Sequence, residues 1–429
     1  MSYVRFYSIA SFTLGTNGNT KLWNGTATNA MEYSTDANTW STWDGTSAIS
    51  AGLSNGVYNL YLRGTGNTKV SNSTSPNNVV KFTFNGTDPI DSEGNIESLL
   101  DYATVDNNQH PTMDTYAFTS LFYDQILLKT TPTLPATTLT NHCYNGMFRN
   151  CTSLTTAPSL PATTLANSCY SYMFYNCTSL QSAPELLATT LANNCYKEMF
   201  YGCTSLQSAP SLPATTLFPL CYYQMFRDCT SLITAPTLPA TTLASNCYSF
   251  MFYNCTSLIT PPALPATTLS YSCYNNMFRK CTSLTTAPAL PAMTLTNNCY
   301  EYMFYDSGIK LSTTQHDDYT LAYRIPTEGT GTETNSLTNM FYGSGVNTPS
   351  INTTYYIKDI QYETNHVELG AIAQSIRNKN ETSSLLTFPE DYVTAIGNII
   401  VDVDNEYYIS QAIPSDALGE DGDICVVYN

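Results

Sequence analysis

The chain has 429 residues, 16 of them basic and 33 acidic, for a net charge of −17. That balance, with no Lys/Arg-rich run, excludes a phosphate-neutralising surface and so argues against nucleic acid as a partner. Only 11% of residues are charged and no apolar run reaches the roughly 20 residues of a membrane span, so strands, turns and polar surfaces are expected.

The start, "MSYVRFYSIASFTLGTNG", is too short and too polar in its apolar run to read as a signal peptide. Synthesis and folding in a cytoplasm, with reduced cysteines, are therefore expected. Through residue 92 alternating runs such as "GVYNLYLRG" (56–64) and "NVVKFTFNG" (78–86) are separated by Gly, Asn and Asp turns, which predicts an antiparallel β-domain over 1–92. Within it "STDANTW" (34–40) resembles the Asp-box hairpin of sialidase-like proteins. With no accompanying Arg cluster it reads as a structural turn.

From Cys143 to Phe304 the chain repeats without insertion at a period of 26, as C-Y-x-x-M-F-x-x-C-T-S-L-x-x-x-P-x-L-P-A-T-T-L-x-x-x. Cysteine stands at 143, 169, 195, 221, 247, 273 and 299, and again at 151, 177, 203, 229, 255 and 281. Subtracting one period places Leu121-Phe122 in the Met-Phe column, with Ala117 and Gln125 in the cysteine columns. "YRIP" (323–326) and "NMFYGSG" (339–345) form a distorted last copy, and atypical ends are what capping turns require. Within one unit Cys169, Tyr170, Met173, Phe174 and Cys177 have the spacing of one stripe on a two-turn helix, and Leu180 to Pro184 predict a short strand. Eight or nine stacked turns at about 4.8 Å would give a rod or arc on the order of 40 Å long.

The cysteines lack metal-site spacing, and the four histidines do not follow the period. Disulfides between neighbouring copies are geometrically thinkable. The expected state is nevertheless a ladder of buried, reduced thiols, because free Cys packs as a small apolar group and Ala117 fills the same column. No metal and no cofactor are expected.

On "MFRNCTSL" and "SLPATTL" the array resembles the leucine-rich repeats of the BspA-like, or Treponema-type, class. The resemblance implies an α+β chain: a leucine-rich-repeat solenoid over 93–345, flanked by the amino-terminal β-domain and a small carboxy-terminal α+β module over 346–429. In that last segment Leu369, Ile372, Ala373 and Ile376 define an amphipathic helix, and "LGEDGDICVVYN" (418–429) is similar to a strand near the ends of phage fibre proteins. Together these segments resemble fibre and surface proteins of tailed, crAss-like Bacteroides phages. The resemblance implies a virion-surface location, a homotrimer as in other fibres, other virion proteins at the anchoring end, and a host glycan or protein as contact. A monomeric cell-surface adhesin is the alternative.

No Ser/His/Asp or Cys/His constellation supports catalysis, so a non-enzymatic protein is expected. Instead, the residue after each Phe reads Arg149, Tyr175, Tyr201, Arg227, Tyr253, Arg279 and Tyr305. Two readings of this column stand: a ridge of planar groups suited to sugars or protein edges, or stems and rings that merely cover the flank of each helix.

Overall fold

The computed structural model describes residues 2–17, 30–71, 80–316, 319–325, 333–351 and 353–358. The chain divides into two compact units, Met1–Asp359 and Ile360–Asn429, and every described residue belongs to the first. The amphipathic helix and terminal strand expected beyond residue 366 lie outside the described residues.

Among the described residues nine strands come first: β1 (Val4–Ser8), β2 (Phe12–Thr16), β3 (Ala30–Ser34), β4 (Ser41–Thr42), β5 (Ile49–Ser50), β6 (Gly52–Ser54), β7 (Val57–Thr65), β8 (Phe82–Gly86) and β9 (Asp91–Gly94). They form two antiparallel sheets, in the orders β4-β3-β7-β1-β9, with β6 also on β7, and β5-β2-β8. Alternation decides the faces: Val4, Phe6 and Ser8 are buried, while Arg5 and Tyr7 point outward and are half-buried. The one helix among the described residues, α1 (Ser98–Asp106), packs its start so tightly on β7 that a Cβ at Gly64 would sit 1.9 Å from the Leu99 carbonyl.

These strands close the first end of the repeat array. Phe82 lies edge-on to Phe6 and 5.5 Å from Phe122, so one apolar core runs from the sheets into the first copy. The backbone N–H groups of Val70, Phe82 and Ile90 donate to the carbonyls of Ala117, Leu121 and Leu127. The expected boundary between 92 and 93 falls inside β9, which pairs with β1. An array end exposes a ring face and a row of carbonyls, and covering both joins the two segments.

Within the array the expected two-turn helix is absent, and the reason is a period of 4.0 rather than 3.6. The amides of Cys169, Ser171, Met173, Tyr175 and Cys177 each donate three residues back, to Ala166, Ser168, Tyr170, Tyr172 and Phe174. The intervening amides of Ser168, Tyr170, Tyr172, Phe174 and Asn176 each donate 25 residues forward, to the next copy. Ser168, Tyr172 and Asn176 have φ of 53°, 58° and 56°, one in every four residues. The segment is therefore a ribbon of overlapping β-turns in which every second turn puts its third residue in the left-handed region. Over eight residues the two periods differ by only about 80° of phase, so the buried set came out the same.

Three left-handed residues per copy cost about 1–2 kcal/mol each. Burial of Tyr170, Met173, Phe174, Leu180, Leu186 and Leu191, at about 1.5–3 kcal/mol each, outweighs that cost. Stacking supplies the burial: the Phe column from 122 to 304 repeats at 5.4–5.8 Å with rings nearly parallel, and the Tyr column from 144 to 300 repeats at 5.8–5.9 Å. The strand expected at Leu180 to Pro184 is reduced to isolated parallel bridges between equivalent residues, such as Thr156 with Ser182, Leu160 with Leu186 and Thr164 with Thr190. The proline in each copy withholds the donor that a longer ladder would need.

The last copy keeps its columns across an insertion of 11 residues. Phe304 stacks on Phe341 at 5.0 Å, and the amides of Tyr300, Tyr302, Phe304 and Asp306 donate to Ser336, Thr338, Met340 and Tyr342. The stretch that carries it contains β10 (Leu311–Ser312) and β11 (Leu321–Arg324), which pair antiparallel with β12 (Thr354–Ile357). The expected boundary at 345/346 thus lies between segments of one small sheet. The forward-pointing amides of this last copy are met locally, Phe341 donating to Asn347 and Asn339 to the Thr348 hydroxyl.

Candidate binding surface

The turn ribbon sets the column after Phe on the array's outer edge. Arg149, Tyr175, Tyr201, Arg227, Tyr253, Arg279 and Tyr305 are each half-buried, and they are brought together into one continuous ladder. The Arg149 guanidinium lies 4.5 Å from the Tyr175 ring, and Tyr175 stacks on Tyr201 at 4.5 Å and 11°. Arg227 sits between Tyr201 at 5.3 Å and Tyr253 at 4.4 Å. Arg279 sits between Tyr253 at 5.7 Å and Tyr305 at 4.2 Å.

Three residues the repeat pattern did not single out extend the ladder. Tyr123 takes Lys81 on one face at 4.3 Å and Arg149 on the other at 5.6 Å, and Tyr342 stacks on Tyr305 at 4.4 Å. Tyr123 was findable by subtracting one period from Arg149. Tyr342 was hidden by the insertion and Lys81 by its place in the sheets. The rings do not cover a helix, since none is there; they cover one another, each alternating cation lowering the cost of the next ring by cation–π attraction.

Beside the ladder runs a column that reads Asp124, Asn150, Asn176, Gly202, Asp228, Asn254, Lys280 and Asp306, every member with positive φ. Asn, Asp and Gly are the residues that enter this conformation at least cost. Asn150 and Asn254 donate back one copy to Asp124 and Asp228, and Asp228 lies 3.4 Å from Arg227. Burial first, then its hydrogen bond to Asp228, pushes the Tyr201 hydroxyl up to about 12.

The cysteines have a defined place. All thirteen in the array are buried and free. In the second column each thiol from Cys151 to Cys281 donates at 2.9–3.1 Å to the Phe carbonyl of the preceding copy, Cys177 to Phe148 among them. Burial pushes the thiols up, Cys143 and Cys195 to about 12 and Cys177 well above the ordinary range. In the first copy Gln125 replaces this Cys and its side-chain oxygen accepts from the Phe84 amide, tying the array to β8. Among the described residues no three His, Cys, Asp or Glu side chains cluster to hold a metal, and no helix is long and apolar enough to cross a membrane.

The Asp36 turn is structural in form: its carboxylate accepts from the amides of Asn38 and Thr39, and these bonds hold it at about 2. The turn joins β3 to β4 and places Trp40 against Arg63 at 3.9 Å, with Tyr102 on the other side of that guanidinium at 4.1 Å. Arg63 pairs with Glu32 and Arg5 with Glu93, giving the outer sheet face a fixed aromatic and ionic surface. Sequence reasoning missed it, because the residues are distant along the chain and meet only through strand register.

A family model of BspA type leucine-rich repeat regions, in six copies, matches residues 119–224 and 221–322. No curated protein and no solved structure matches the chain. The stacked 26-residue turns from 119 to 322 are thus similar to BspA type leucine-rich repeat regions over just under half of the chain.

Proposed function

We propose that this chain is a non-enzymatic surface protein of a tailed-phage virion, a head or tail fibre or decoration, that presents its repeat array to the host surface. The observation that carries this reading is the unbroken ladder from Lys81 to Tyr342, a preorganised strip of Tyr and Arg whose side-chain entropy is already spent. In this reading the protein is a homotrimer, and a flanking segment attaches it to other virion proteins.

The test has two arms. The polypeptide should be found by mass spectrometry in purified virions; virions that lack it would refute the location. Replacing Tyr175, Tyr201 and Tyr253 by Ala should reduce binding of the isolated protein to host cells while the protein remains folded by circular dichroism. Unchanged binding would leave the ladder with a packing role alone. The repeat match itself carries no tie to virions, which favours one second reading, a monomeric cell-surface adhesin for host glycans or proteins.

A further inference from the structure

We infer that the ladder binds a neutral, linear glycan laid along the array, held by hydrogen bonds to the ladder's edge and not by stacking on its rings; this rests on the reading of the ladder as the contact surface. Sugars that stack on aromatic side chains need an open ring face. Here Tyr175 has Arg149 on one face and Tyr201 on the other, Tyr253 lies between Arg227 and Arg279, and Tyr305 lies between Arg279 and Tyr342. At its half-buried edge the ladder keeps phenol hydroxyls, one donor each, and the terminal N–H groups of the guanidiniums, while the Nε atoms of Arg149, Arg227 and Arg279 are buried.

Charge selects within the polymers such a row could hold. Between 143 and 306 the chain has five basic and five acidic residues, and all except Glu185 lie on the turn ribbon. Lys197 pairs with Glu198 and Arg227 with Asp228, and at the first rung Lys81 pairs with Asp124. The strip is therefore close to neutral within a chain of net −17, a poor match for a polyanion. Spacing points the same way. Successive rungs lie 4.2–5.7 Å apart, close to the advance of one pyranose in an extended glycan, so a linear chain can offer one hydroxyl-bearing unit to each rung. Binding then grows with ligand length, because each further sugar engages a rung already in place.

The test is affinity gel electrophoresis of the whole chain in gels containing soluble β-glucan, mannan, xylan or galactan, with heparin as the polyanion. At least one neutral polymer should retard the protein at physiological salt, and its oligosaccharides should compete more strongly as they lengthen from two to eight sugars. The triple variant Tyr175→Phe, Tyr253→Phe, Tyr305→Phe keeps every ring stack but loses three hydroxyls, and should weaken retardation by at least about tenfold. Its melting temperature should stay at the wild-type value. Retardation by heparin alone, retardation by no neutral polymer, or full binding by the Phe variant would each overturn the inference. Host-cell binding without any neutral-glycan retardation would sink this inference and leave attachment standing; virions lacking the chain would do the reverse.

Discussion

Raising the pH from 7 to 11 should unfold the array abruptly, and the structure sets where. Thirteen thiols are buried, and burial holds each above its ordinary 9.0, Cys143, Cys195 and Cys273 at about 12. A group whose value is raised on folding contributes stability that is complete below its unfolded value and is lost as pH climbs toward the folded one. Each unfolded thiol gains about 0.4 kcal/mol from ionisation at pH 9 and about 1.4 kcal/mol at pH 10. Over thirteen thiols the loss is about 5 kcal/mol at pH 9 and about 18 kcal/mol at pH 10, against a domain stability of about 5–15 kcal/mol. The seven buried tyrosines from 144 to 300, all raised by burial, add to the loss above pH 10. Far-ultraviolet circular dichroism against pH, paired with iodoacetamide labelling and peptide mapping, should show a midpoint between pH 9 and 10 with array thiols reacting only as the signal is lost. A fold that persists to pH 11 would refute the linkage, and thiols that react at pH 8 in intact protein would refute their burial.

Three further outcomes follow from particular contacts. Phe174→Ala opens a gap in a column stacked on both sides, at Phe148 and Phe200, and should cost about 3–5 kcal/mol in urea denaturation. Gly308→Ala places a Cβ 2.4 Å from the Thr282 carbonyl and 2.8 Å from that of Leu284, and should lower the melting temperature by several degrees, whereas a neutral result would mean that the backbone there yields. Leu187→Pro puts the residue of the other copies at an exposed position and should stabilise by about 0.4–1 kcal/mol, read as a higher urea midpoint at unchanged slope.

The buried set of each copy was legible in the sequence, because a 26-residue period forces equivalent side chains onto one another whatever the local backbone. Cys169, Tyr170, Met173, Phe174 and Cys177 are all buried as expected. The backbone was not legible from that set, since five residues cannot separate a period of 3.6 from one of 4.0. The signal that could have separated them was the column Asp124, Asn150, Asn176, Gly202, Asp228, Asn254, a run of residues suited to positive φ where a helix would have no use for them. The outward column at Arg149 and Tyr175 was visible as a list of residue types; that its rings would shut one another's faces depended on a stacking distance no pattern contains. The Trp40, Arg63 and Tyr102 group required the register of β3 against β7, which two alternating runs leave free.

The alternation of amides along the turn ribbon gives the array an electrical direction. At each of the eight interfaces from 116 to 342 five N–H groups point toward the higher-numbered copy, and the carbonyls that receive them point back. Every second peptide therefore aligns its dipole, about 3.5 D, with the stacking axis instead of with the chain. The summed field leaves partial negative charge at the end near Ala117 and Leu121, where Lys81 stands on the first rung, and partial positive charge at the end near Asn339 and Phe341. An array with such a polarity has two inequivalent directions, so a ligand lying along its edge meets a surface that distinguishes one direction from the other.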